Sequence, residues 1–150
     1  MTSTTMRFDT VINGRSPQDV FEYVSDLTRH GEWAANPLEI TANQNSANGV
    51  PSVGQTFTSA ATVRSLSFDA QLTITAYEPN SRFSFSGEDS TGKFEHHFSF
   101  KAVDGGTAVS RQINFTLSAM QWIIFTILYI PVRKPAGNRA LELLKEKLER

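Results

Sequence analysis

At 150 residues, with 39% hydrophobic and 19% charged side chains, the chain has the length and apolar content of one folding domain and is too apolar for a disordered one. Its formal charge of -1 and scattered lysines and arginines exclude the clustered basic footprint of a nucleic-acid binder. The absence of cysteine excludes disulfides, thiolate catalysis, iron–sulfur clusters and cysteine zinc sites together.

The opening MTSTTMRFDT lacks the apolar stretch of a signal peptide, because Arg7 and Asp9 interrupt it, so a cytoplasmic location is expected. Residues 112–132 carry no formal charge. The first part of that run nevertheless alternates, Ile113, Phe115 and Leu117 against Gln112, Asn114, Thr116 and Ser118, which is strand periodicity. The remaining piece, residues 119–132, falls short of the ~20 residues that cross a bilayer, so no transmembrane segment is expected.

In chain order, Met6, Phe8 and Ile12 alternate with polar neighbours as a first, half-buried strand over residues 5–13. Ser16 then caps a helix with Pro17 at its first position, where the missing N–H costs nothing, and Val20, Phe21 and Val24 form the buried face. A second, irregular helix is predicted over residues 28–35, ending at Asn36-Pro37 with Trp33 near its end. Leu38, Ile40 and Ala42 mark a second strand, residues 43–54 an exposed loop, and residues 55–63 a third strand. The clearest strand covers residues 68–77, with Phe68, Ala70, Leu72, Ile74 and Ala76 inward. Glu78-Pro79-Asn80 turns it into residues 81–87, where Phe83 and Phe85 share a face.

Two further strands, residues 93–103 and 107–117, are joined by Asp104-Gly105-Gly106. Their inward residues are even in one (Phe94, Phe98, Phe100) and odd in the next (Val109, Ile113, Phe115), and a two-residue turn at Asp104-Gly105 or Gly105-Gly106 brings like faces together. After Ser118 a helical segment over residues 119–129 is predicted. A break near Pro131 and Pro135 follows, then a helix over residues 135–149 with Leu141, Leu144 and Leu148 as its buried stripe.

The stretches INGRSPQDVFEYVSDLTRHGEW, PSVGQTF, ITAYEPNSRFSF and ALELLKEKLE, in this order, resemble the START-like (SRPBCC) superfamily, in particular its polyketide cyclase/dehydrase and lipid-transport branch. The resemblance implies one α+β domain over residues 1–150 with a helix-grip fold. A curved antiparallel sheet of about seven strands wraps a long C-terminal helix, with two short helices after the first strand. It also implies a cavity between sheet and terminal helix for a lipid, polyketide, isoprenoid or other hydrophobic small molecule. No catalytic motif is among these stretches, and a shared fold does not choose between carrier and enzyme.

With these faces, the cavity wall is expected to include Phe57, Phe68, Leu72, Phe83, Phe85, Phe94, Phe98, Ile113 and Phe115, with Phe8 and Ile74 beside them, closed by Trp122 and Phe125, and Trp33 either covers the entrance or packs between the short helix and the sheet. The same aromatic side chains could instead fill a solid core. His96, between Phe94 and Phe98, and Arg111, between Val109 and Ile113, are polar residues on apolar faces, within reach of one ligand. Either they orient an acidic or phenolic ligand or they are satisfied structurally. A metal is not expected, because His96 and His97 point to opposite faces and His30 lacks carboxylates at ligand spacing. No glycine-rich phosphate loop is present, and no bound cofactor is expected.

These residues favour a carrier or sensor for a small hydrophobic molecule. The alternative is a cofactor-independent cyclase or dehydratase in which His96 and Arg111 act as acid/base and oxyanion stabiliser. A solid core would favour an interaction role instead. Oligomeric state is not encoded in any pattern recognised in the chain.

Overall fold

The computed structural model describes residues 2–44, 50–63, 65–90, 92–124, 127 and 130–150. The alternating segments become seven strands: β1 (Thr2–Asn13), β2 (Leu38–Ala42), β3 (Thr56–Val63), β4 (Leu66–Glu78), β5 (Arg82–Asp89), β6 (Gly92–Val103) and β7 (Gly106–Leu117). They pair antiparallel in the order β1-β7-β6-β5-β4-β3-β2, so the first strand returns beside the last and β1 and β2 form the edges. Between β1 and β2 lie α1 (Pro17–Val24) and a 3-10 helix (Leu27–Glu32); α2 (Ala119–Ile124) and α3 (Ile130–Glu149) follow β7. This is the helix-grip α+β arrangement, the sheet holding α3 across its inner face.

Local chemistry accounts for the joints. The Ser16 hydroxyl accepts from the Asp19 N–H at 3.2 Å and Pro17 opens α1, as the capping pattern requires. Gly105, at φ 79°, occupies the left-handed position of the two-residue turn that pairs Val103 with Gly106. That register places Phe94 opposite Phe115, His96 opposite Ile113 and Phe98 opposite Arg111.

Two expectations are corrected. The pairing of β4 with β5 passes from Ile74–Phe85 to Ala76–Ser84, so one residue of β4 is extra and the alternation inverts beyond it. Tyr77 consequently joins the core, its ring 5.1 Å from Phe21 and 6.4 Å from Phe83. The terminal helix does not begin at Pro135 but at Ile130, and it runs through Pro135. Pro131, at its second position, lacks an N–H that has no intrahelical partner anyway, and Pro135 forfeits one hydrogen bond without ending the helix. The segment predicted over residues 119–129 begins with α2, while Phe125 and Tyr129 lie outside the described residues.

The end of α3 is tied down by charge-assisted hydrogen bonds. Arg15 Nε donates to the Leu148 carbonyl at 2.5 Å and Arg15 Nη2 to that of Arg150 at 3.2 Å, placing a cation at the helix C-terminus. Lys145 Nζ donates to the Val11 carbonyl at 2.5 Å, and Glu149 accepts from the Asn13 N–H at 2.8 Å. Further up the helix, a β-carbon placed on Gly137 would lie 2.3 Å from the Phe8 ring, so the absent side chain sets how closely α3 approaches β1.

On an exposed helix, glycine to alanine stabilises by about 1 kcal/mol, whereas overpacking a core costs about 1–3 kcal/mol. Gly137→Ala is therefore predicted to lower the urea midpoint with an unchanged slope, and Phe8→Leu in the same chain to recover part of the loss. A raised midpoint in the single variant would show that the helix backs away from Phe8 freely.

Candidate functional site

The β6–β7 register brings the two polar inward residues together. Arg111 Nη2 donates to His96 Nδ1 at 3.0 Å. A guanidinium only donates, so Nδ1 presents its lone pair and neutral His96 carries its proton on Nε2. The imidazole stacks on Phe85, centroids 4.7 Å apart and planes 14° apart, and meets the edge of Phe94 at 5.4 Å. The guanidinium carbon of Arg111 lies 5.3 Å from the centroid of Phe98 and 5.6 Å from that of Trp33. Arg111 is half-buried, and the π-faces offset part of the cost of taking its charge out of water.

A third polar residue belongs to this cluster, one that the sequence pattern does not mark as a site residue. His30, on the 3-10 helix, is buried, 4.7 Å from the Trp33 ring and 5.9 Å from that of Phe85. Its Nε2–H donates to the Val24 carbonyl at 2.6 Å. Burial above all pulls its pKa down to about 3; the Arg111 charge acts in the same direction and the Val24 hydrogen bond opposes both. His30 is thus a neutral donor that braces the 3-10 helix, and Trp33 with it, against the sheet. Trp33 is 2% exposed, and its Nε1–H finds no hydrogen-bond acceptor among the described residues.

Beside this cluster the inner face is hollow, with a cavity of about 160 Å³ between the sheet, residues 33–38 and α3. Of the expected wall, Phe68, Leu72, Phe85, Phe94, Ile113 and Phe115 line it, together with Trp33, His96 and Arg111. Phe57, Phe83 and Phe98 do not, nor do Phe8 and Ile74; all five are buried in solid core. Phe83 and Phe98 belong to an aromatic cluster with Phe21, Tyr77 and Phe100 that fills the other half of the interior. Trp122 packs half-buried against the core, away from the lining, and Phe125 is outside the described residues.

Small side chains were missed: Ala34, Ala35, Ala61, Ala70, Ala136 and Gly137 are on the wall. They make the void, since each leaves open the space a larger residue would occupy. Their signal in the sequence is the repeated alanines of segments otherwise rich in large apolar residues.

On the opposite face, Ser84 Oγ lies 2.8 Å from His97 Nδ1, and His97 Nε2 lies 3.5 Å from Glu95. The sequence showed no nucleophilic triad, and this juxtaposition resembles one in composition. Ser84 is only 1% exposed, however, so its hydroxyl is sealed from any substrate and the set serves as a cross-strand tie.

Residues 3–149 match the family described as polyketide cyclase / dehydrase and lipid transport. A search of curated proteins finds no match. Among solved structures, TTHA0849 from Thermus thermophilus is 14% identical, with 97% of each chain covered and a TM-score of 0.77. Ara h 8.0201 is 14% identical over 98% of each chain, with a TM-score of 0.66. The di-domain ARO/CYC StfQ from the steffimycin biosynthetic pathway is 12% identical over 98% of this chain and 51% of its own, with a TM-score of 0.75. At these identities the likenesses speak for the fold. No described helix is long and apolar enough to cross a membrane.

The buried His30 makes stability depend on pH. Its folded pKa, about 3, lies below the unfolded value of 6.5, so the unfolded chain binds the extra proton between these limits and stability falls as pH drops below 6.5. Among the described residues, Arg111 is the charged group that acts on it; Trp33, Phe85 and Phe98 are its ring neighbours. Relative to His30→Gln, which keeps a donor and cannot titrate, the wild type should lose about 2 kcal/mol more between about pH 7 and about pH 5. Urea unfolding at the two pH values measures the difference, and equal losses would show that His30 titrates normally.

Proposed function

The chain belongs to the polyketide cyclase / dehydrase and lipid transport family, and from that premise we propose that it binds a small, mainly apolar molecule in the cavity between the sheet and α3, as a carrier or sensor. The observation that carries this proposal is the uneven interior. Aromatic side chains fill one half, while alanines and a glycine hold the other half open beside Arg111 and His96. Apolar walls with a few convergent polar groups are the usual make-up of a small-molecule site.

The Arg111–His96 contact also supports a second reading, a cyclase or dehydratase. His96 Nε2–H would serve as general acid and Arg111 would stabilise a developing enolate or phenolate. The volume favours binding. At about 160 Å³ the cavity compares with an engineered apolar one of ~150 Å³ that takes up a single benzene, well below the ~300–1,000 Å³ of drug-sized sites. A polyketide chain long enough to cyclise needs more room.

Native mass spectrometry of the purified protein, with identification of any compound released on denaturation, and titration with an apolar fluorescent probe test this function. A bound compound, or saturable probe binding lost in Ala70→Phe while the fold persists, is the expected result. A clean mass together with no probe binding would point to a filled core and an interaction role.

A further inference from the structure

A second polar feature of the cavity lies away from Arg111, on a strand four places along the sheet. Ser59, on β3, is 8% exposed and lines the cavity. Alternation along β3 turns it inward with Phe57, while Thr58 and Ala60 face the solvent. Its cross-strand neighbours on the inner face are Ile40 of β2 and Ala70 of β4, and neither side chain can form a hydrogen bond. The Ser59 hydroxyl has no hydrogen-bond partner among the described residues. A hydroxyl withdrawn from water without a partner is unfavourable, and buried ones are normally bonded. This one faces the void, so its partner is whatever enters.

The same row of the sheet continues to a carboxylate. Gln71 pairs with Glu88, so one residue further along each strand the register sets Ala70 beside Asp89. Ser59, Ala70 and Asp89 therefore run side by side across β3, β4 and β5, and all three line the cavity. Ala70 is the shortest of them and leaves a notch between two polar side chains. Their strands are two spacings, about 10 Å, apart. One oxygen hydrogen-bonded on both sides at about 2.7 Å spans about half of that, and the Ser59 and Asp89 side chains reach across the rest.

We propose, resting on the binding function above, that the ligand is a neutral molecule of about one ring that bears a hydroxyl, and that this hydroxyl sits over Ala70, accepting from Ser59 and donating to Asp89. A hydroxyl bonds in both directions through a single atom, whereas a carbonyl only accepts and leaves the Asp89 side unanswered. The two oxygens of a carboxylate offer about four lone pairs, so a contact that Asp89 makes elsewhere leaves it able to accept this one. The ring lies against Ile40, Ala61 and Leu72, which border the same row on the cavity wall. A volume of about 160 Å³ limits the apolar part to about that size.

The test titrates the intact protein with phenol, with fluorobenzene, which is nearly the same shape but has no hydroxyl, and with benzaldehyde, which only accepts. Affinities are read from ¹H–¹⁵N shift titrations. Ser59→Ala should weaken phenol at least about fivefold, the loss of one buried hydrogen bond, and leave fluorobenzene within about twofold. Ser59→Thr, which keeps the hydroxyl, should keep most of the phenol affinity. Asp89→Ala should weaken phenol in the same way but spare benzaldehyde and fluorobenzene, and Asp89→Asn, which retains an accepting oxygen, should lose less. Phenol affinity unchanged in Ser59→Ala would overturn the assignment to Ser59 while the binding function stands. Benzaldehyde and phenol weakened equally by Asp89→Ala would overturn the hydroxyl bridge. Failure of all three probes to bind the wild type would overturn the binding function itself.

Discussion

An arginine carried into the interior is the constraint on which the rest of this structure depends. Taking a guanidinium out of water is costly unless the surroundings answer its charge and its donors. Here the faces of Phe98 and Trp33 and the lone pair of His96 do so. Each of these is fixed in turn: Phe98 by direct pairing across the β6–β7 ladder, His96 by stacking on Phe85, and Trp33 by its place after a 3-10 helix braced through His30. The turn at Asp104-Gly105 therefore does more than reverse the chain. A slip of one residue would send Arg111 to the outer face and remove the polar end of the cavity.

The interior divides by side-chain size. Phe21, Tyr77, Phe83, Phe98 and Phe100 interlock at one end through edge and tilted contacts, while at the other end alanines interrupt the large apolar residues of the wall and a helix meets Phe8 through a glycine. Such a core concentrates stability where the aromatic rings are and leaves a void where the donors are. A void forgoes dispersion contacts along its walls, and a ligand that fills it restores them. Stabilisation by ligand follows directly from that deficit.

Much of the fold was legible because strand alternation, the Ser16-Pro17 start and the glycine turn each report local physics that tertiary context seldom overrides. The inward placement of Arg111 and His96 followed from parity alone. Features that depend on one irregularity or on three-dimensional neighbours were not legible. The extra residue near Thr75 inverts parity without any mark in the sequence, so alternation alone does not direct Tyr77. Pro135 reads as a helix break, yet α3 tolerates it. Phe57, Phe83 and Phe98 alternate inward like Phe85 and Phe94, and only their neighbours decide that they are buried in core rather than facing the void. His30 sits on an irregular helix whose direction no periodicity predicts.

A crystal of the protein pressurised with xenon tests the central claim most directly, because xenon occupies apolar space that protein atoms leave empty. The account predicts a xenon atom between Leu72, Ile113 and Phe115, with Arg111 still bonded to His96 and lying over Trp33. No xenon there, with those side chains collapsed upon one another, would contradict the hollow interior and the function built on it.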